Sequence, residues 1–182
     1  MENLPISTVR LDSLRRICVY MVKTRESIHM GIDPSNRRIL QALQRDSRLG
    51  IADLASEVGL SSSACHRRVK LLEESGIIAG YAARLDRRAL GLTMEFFVEV
   101  SLSSQSGDAF DAFERAVAGM DEILECHLMA GGTDYLLRVV AADLADFERI
   151  HREHLAQLPH ISRLQSNLAI RTVRAMTGYP VR

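Results

Sequence analysis

The sequence predicts an α+β protein in two parts: an N-terminal helix-turn-helix of the winged kind, then a ferredoxin-like βαββαβ domain. Three observations predict it. Short apolar stripes at helical spacing crowd between Asp33 and Gly76, with a glycine turn between the second and third. Beyond Gly80 the apolar period drops towards two residues, the signature of strands. From there strand-like and helix-like segments follow in the order β-α-β-β-α-β, which is the ferredoxin-like arrangement.

Residues 1–31 form an extension of different character. Val9, Leu11, Leu14, Ile17, Cys18 and Met21 give an irregular amphipathic stripe. Met30 stands just before the first sharp helix signal, so translation starting there is the alternative to a real, loosely ordered extension. The helix-turn-helix is expected over residues 32–80. Asp33 followed by Pro34 reads as an N-cap with proline at the first helical position. Ile39, Leu40 and Leu43 carry the first stripe, and Arg48-Leu49-Gly50 breaks it. Ile51, Leu54, Ala55 and Val58 mark a second, short helix, and Gly59-Leu60 turns the chain. Ser61 caps a third helix, on which Cys65, Val69 and Leu72 recur at i, i+4 and i+7. Gly76 ends it in the position glycine takes after a C-cap.

Residues 81–93 read as a linker with a short strand at Tyr81–Leu85. The second domain is expected over residues 94–176, with 177–182 as a tail. Phe96, Val98, Val100 and Leu102 alternate as in a half-buried strand. Phe110, Phe113, Val117 and Met120 then follow at helical spacing. Ile123 to Met129 is strand-like, Gly131-Gly132-Thr133-Asp134 turns, and Tyr135 to Ala141 is an apolar strand. Leu144, Phe147, Ile150, Leu155 and Leu158 mark the second helix, and Ile161 to Val173 the last strand. Helices on one face leave the other sheet face bare. Phe97, Cys126, Leu128 and Tyr135 are candidates to line it, depending on strand register, and an open apolar face marks an association surface. A homodimer or higher even-numbered homo-oligomer is therefore expected.

Composition narrows the function classes. Hydrophobic residues are 47% of the chain, enough for packed cores, and charged residues 25%, close to the globular average. No apolar run is long enough to span a bilayer and no secretory signal is evident, so a cytoplasmic protein is expected. Cys18, Cys65 and Cys126 are odd in number and far apart, which is neither a disulfide framework nor a paired-cysteine metal site. Net charge is zero; the first half is mildly basic and the second mildly acidic, a faint pointer to nucleic acid in the first half.

The third helix sharpens that pointer. With Cys65, Val69 and Leu72 turned to the core, the opposite face carries Ser63, His66, Arg67 and Lys70. Ser61, Ser62 and Ser63 place short hydroxyls at the positive end of the helix dipole, where phosphate oxygens bind. Arg67 and Lys70 can reach phosphates, and an arginine fork reads guanine. The plainer reading is a solvated basic face. Arg68 lies beside the apolar stripe and is expected to form a structural ion pair instead.

These residues carry a resemblance. The run LGIADLASEVGLSSSACHRRVKLLEESGIIAGYAARLD is similar to the helix-turn-helix of the Lrp/AsnC (feast/famine) regulators. The later run ILECHLMAGGTDYLLRVVAADLADFERI resembles that family's RAM domain. The likeness covers about residues 32–176, and the two motifs stand in the family's order and spacing. It implies a sequence-specific transcriptional regulator of double-stranded DNA, dimers assembling into even-numbered rings, and a small effector, usually an amino acid, between RAM domains. The family's Gly-x-x-Asp turn falls on Gly131 and Asp134. Glycine lets backbone N–H groups approach a carboxylate, and a carboxylate pairs with an ammonium. Met129, Ala130, Gly132 and Ser166 complete the expected pocket; the alternative is that the glycines only make the turn and Asp134 caps it. Two departures stand out. Asn36 replaces a commonly acidic residue, and Leu164-Gln165 precede Ser166 where the family is more polar.

Other readings are kept beside this one. The siroheme decarboxylases resemble the same architecture but carry extra His, Arg and aromatic residues in place of the Gly-x-x-Asp turn, which is present here, and this chain has no tryptophan. No nucleophile-base-acid constellation is visible, so neither catalytic residues nor a cofactor are expected. His151 and His154 stand three apart on a helix with Glu148 and Glu153 nearby, a spacing that can hold a metal. Without a third convincing ligand they read as a solvated face. An architectural DNA-binding protein without a dedicated operon is the remaining alternative.

Overall fold

The computed structural model describes residues 32–182; the stripe from Val9 to Met21 and the alternative start at Met30 lie outside them. Helix α1 spans Pro34–Arg45. Its start is fixed as the sequence predicts, the Asp33 carboxylate accepting the Asn36 N–H at 2.7 Å, which satisfies one of the orphan donors of the first turn. Helix α2 spans Ile51–Val58 and ends on Gly59 at φ 69°, the left-handed conformation that only glycine adopts without strain. Helix α3 spans Ser62–Glu74, with the Ser61 hydroxyl accepting from the Ala64 N–H. Ile39, Leu40, Ala42, Leu54, Ala55, Val58, Cys65, Val69 and Leu72 form one buried cluster. Burial of each larger side chain there stabilises by roughly 1.5–3 kcal/mol, which is what holds three such short helices together.

The second unit spans Leu85–Thr172. Strand β1 is Met94–Leu102, helix α4 Gly107–Val117, strand β2 Ile123–Leu128 and strand β3 Tyr135–Ala141. Helix α5 is Leu144–Glu153, followed by a 3-10 turn Leu155–Gln157 and strand β4, Ile161–Leu168. The sheet runs β2-β3-β1-β4, antiparallel throughout, as the βαββαβ order requires. Phe96, Val98, Val100 and Leu102 alternate inward onto Phe113, Val117, Phe147 and Ile150 of the helices, and the Phe96 and Phe147 rings stack at 3.5 Å.

Four expectations are corrected. Tyr81–Leu85 is not a strand; a strand exists only as part of a ladder, and this segment has no partner strand among the described residues. The last strand stops at Leu168 rather than Val173. Its partner β1 supplies a final acceptor at Glu95, which takes the Ala169 N–H at 2.9 Å, and beyond that there is no strand to pair with. Leu144, expected on the apolar stripe, is 62% exposed because the helix starts there, at its outer end. The bare sheet face is lined by other residues than those foreseen. Cys126 pairs with Leu137 and Leu128 with Tyr135, and opposite residues share a face, so all three of Cys126, Leu128 and Tyr135 lie on the helix side. Only Phe97 of the four faces outward. Leu136 and Val140 share that outward face with it, beside Glu95, Arg138, Glu125 and His127. Arg138 bonds Glu95 and reaches Glu125 at 2.7 Å, and His127 stands 3.3 Å from the same Glu125. That company, Arg138 first, holds the Glu125 carboxyl below its ordinary range.

Candidate nucleic-acid interface and ligand turn

On α3 the sequence placed Ser61, Ser62, Ser63, His66, Arg67 and Lys70 at the nucleic acid. All six are exposed, and the helix brings them to one side because Cys65, Val69 and Leu72 bury the other. Ser61 is engaged as the cap, and its hydroxyl also lies 3.3 Å from that of Ser63. Lys70 stands 3.6 Å from Glu74 one turn on, an exposed i,i+4 pair that solvent and salt weaken. Ser62, His66 and Arg67 show no side-chain hydrogen bond to other described residues, which leaves their donors available to phosphate or base edges.

Arg68 is turned the other way. Its Nη1 donates to Asp33 at 2.5 Å and to the Asn36 side-chain oxygen at 3.0 Å, tying α3 to the first turn of α1. This is the structural ion pair read from the sequence. It also explains why Asn36 serves where an acid is common: its amide oxygen still accepts from the guanidinium. The Asn36 N–H and then Arg68 hold the Asp33 carboxyl below its ordinary value.

The turn that the resemblance implies for the effector lies between β2 and β3. The Met129 N–H donates to the Asp134 carbonyl at 2.8 Å, and the Asp134 N–H to Val100 at 2.9 Å. Each oxygen of the Asp134 side chain accepts one donor from the protein: Oδ2 the Leu102 N–H at 2.7 Å and Oδ1 the Gln105 amide at 2.8 Å. A carboxylate offers about four lone-pair sites, so each oxygen keeps capacity for a further donor. Met129, Ala130, Gly131 and Gly132 are exposed. A Cβ on either glycine would meet nothing within 4 Å, and neither takes positive φ, so the turn itself does not demand glycine.

Ser166 is not brought to this turn. It pairs with Val98, four residues along β1 from Leu102, or roughly 13 Å at strand rise. The two residues reading from sequence missed are Leu102, which acts through its backbone, and Gln105. The polar run Ser103-Ser104-Gln105-Ser106 ahead of α4 is the signal that could have found Gln105. Of the histidines three apart on α5, His151 leans on Phe147 and His154 closes the helix; among the described residues no three His, Cys, Asp or Glu converge as for a metal. No helix there is long and apolar enough to cross a membrane.

Residues 32–79 match the family model for winged helix-turn-helix DNA binding, and residues 95–179 that of the Lrp/AsnC ligand binding domain. The chain is 39% identical over 142 residues to a proline dehydrogenase transcriptional activator of Rhodobacter capsulatus, covering 78% of this chain and 92% of that one. It is 34% identical over 154 residues to the leucine-responsive regulatory protein of Escherichia coli K12, covering 85% and 94%. Among solved structures, a Neisseria meningitidis transcriptional regulator in complex with L-methionine superposes with a TM-score of 0.78 at 33% identity, over 81% of this chain and 96% of that one. A feast or famine regulatory protein from M. tuberculosis, also complexed with L-methionine, gives 0.70 at 27%, over 81% and 98%.

Proposed function

This chain belongs to the Lrp/AsnC family of DNA-binding transcriptional regulators, and on that premise we propose how its residues divide the work. Ser62, Ser63, His66 and Arg67 of α3 read the major groove, Ser61 shapes the helix start that meets the phosphate backbone, and Lys70 adds a phosphate contact. The observation that carries this reading is the split between two neighbouring arginines, Arg68 spent on Asp33 and Asn36 while Arg67 faces outward. A two-fold dimer would offer two such helices to successive major-groove faces, about one helical turn apart.

The effector is an α-amino acid held at the turn Met129–Asp134. Its ammonium meets the Asp134 carboxylate, and its carboxylate meets backbone N–H groups at Ala130, Gly131 and Gly132, where glycine lets a ligand come close. Ser166, too distant within one chain, joins from another copy, which places the site between protomers of an even-numbered oligomer. The two structural relatives with L-methionine support an amino acid of that kind. The chain acts in the cytoplasm, where its DNA is, and performs no chemistry. The effector acts only in so far as it binds one protomer arrangement more tightly than another.

Fluorescence anisotropy of DNA from upstream of this protein's own gene, against scrambled DNA and with a panel of amino acids, tests the reading. Salt-resistant preference for the native fragment, shifted by one amino acid, is the expected result. Equal, weak and salt-sensitive binding to both fragments would reduce the interface to phosphate contact alone and favour an architectural role.

A further inference from the structure

At the turn Met129–Asp134 each oxygen of the Asp134 carboxylate already accepts a donor from the chain itself. Asp134 Oδ2 is committed to the Leu102 N–H at 2.7 Å, a backbone bond that fixes where the carboxylate sits. Oδ1 takes a neutral side-chain donor, the Gln105 Nε2 at 2.8 Å. Gln105 is held ready for this by its neighbours. The Ser103 N–H and hydroxyl both donate to the His160 carbonyl, at 2.6 and 3.1 Å. The Ser106 N–H bonds the Ser104 hydroxyl, and Ser106 caps α4. The backbone on either side of Gln105 is therefore pinned while its side chain is exposed and can swing.

Resting on the reading of this turn as the effector site, we propose that Gln105 is an internal competitor that sets effector affinity. Its amide occupies on Asp134 Oδ1 the position an amino acid's ammonium takes, and the ligand binds by displacing it. An ammonium wins because a charged donor to a carboxylate forms the stronger bond, whereas the amide is a neutral donor that returns when the ligand leaves. The exchange shifts no proton and needs no backbone movement. It lowers affinity for every ligand that uses the ammonium position and for no other.

The test is calorimetric titration of the full chain with L-methionine and with its des-amino analogue, 4-(methylthio)butanoate. Gln105→Ala and the equally long Gln105→Met both remove the competing donor. Loss of one exposed hydrogen bond should tighten L-methionine by roughly two- to ten-fold in both variants. The des-amino analogue should gain nothing. Unchanged L-methionine affinity, equal tightening of both ligands, or loss of L-methionine binding would each overturn the proposal, the last by making Gln105 a ligand contact. Failure of the wild-type chain to bind any amino acid would instead overturn the effector turn itself, and the competitor with it.

Discussion

Arg67 and Arg68 are adjacent on α3, yet Arg67 is exposed while Arg68 is tied to Asp33 and Asn36. Arg67→Ala should weaken binding to the native upstream fragment about ten-fold or more, since one good base or phosphate contact is worth about 1–3 kcal/mol, and leave the thermal unfolding curve in place. Arg68→Ala should do the reverse first, lowering the melting temperature of the helical unit because Asp33 and Asn36 lose their shared donor. Equal loss of DNA affinity without a stability change in Arg68→Ala would contradict the assignment. Asp33 gives the same contact a pH signature. Its pKa is depressed in the folded state, so the stability it adds is present above its ordinary value of 3.8 and is lost as pH falls through the lower folded value. Asp33→Asn should flatten the acid limb of the helical unit's stability in that window, as read by circular dichroism. At Cys126, burial and then Glu114 push the thiol up to about 11. Alkylation at pH 8 should therefore spare Cys126 in the native protein and label it only after unfolding, as peptide mass spectrometry would report.

Elements were legible in the sequence wherever a local signal fixed them. Asp33-Pro34, Gly59 and Ser61 set helix ends through backbone geometry and capping, which depend on a few adjacent residues. Gly59→Ala should cost about 1 kcal/mol, the price of a side chain at φ 69°, measurable by urea unfolding; no loss there would mean the turn relaxes to another conformation. What was not legible depended on pairing. Whether Cys126, Leu128 and Tyr135 face outward depends on register, because alternation along one strand does not say which parity faces the helices. The register against Leu137 and Tyr135 decides that, with the bulge between Ile123 and Glu125 resetting the parity of β2. Tyr81–Leu85 has strand propensity but no partner strand among the described residues. At the turn before β3, Asp134 was singled out through the family's Gly-x-x-Asp pattern, while its bonding partners Leu102 and Gln105 come from a segment about 30 residues earlier that only the β1–β3 ladder brings alongside.

At the scale of the whole chain, the helical unit is not one continuous piece. The chain leaves it at Arg84, builds the sheet unit over Leu85–Thr172, and returns with Val173–Arg182. The return is held by named contacts. The Gln44 side chain accepts the Tyr179 N–H at 2.5 Å and donates to its carbonyl at 3.1 Å, so one side-chain amide holds both backbone groups of one residue. Gly178 beside it has φ 152°, and a Cβ there would collide with Gln44. Val181 packs on the buried cluster of the three helices, and Arg84 donates to the Met176 carbonyl. Ten terminal residues so tied behave as part of the DNA-reading unit even though they follow the ligand domain in sequence. Their removal after Thr172 deletes one apolar contact and three exposed hydrogen bonds, a loss of about 1–3 kcal/mol. Hydrogen exchange should then rise across α1 and α2 and stay unchanged across β1 and β3, and Gln44→Ala should reproduce part of the effect. Equal protection of α1 with and without the tail would show that the helical unit is complete at Arg84 and that the clamp adds nothing to its stability.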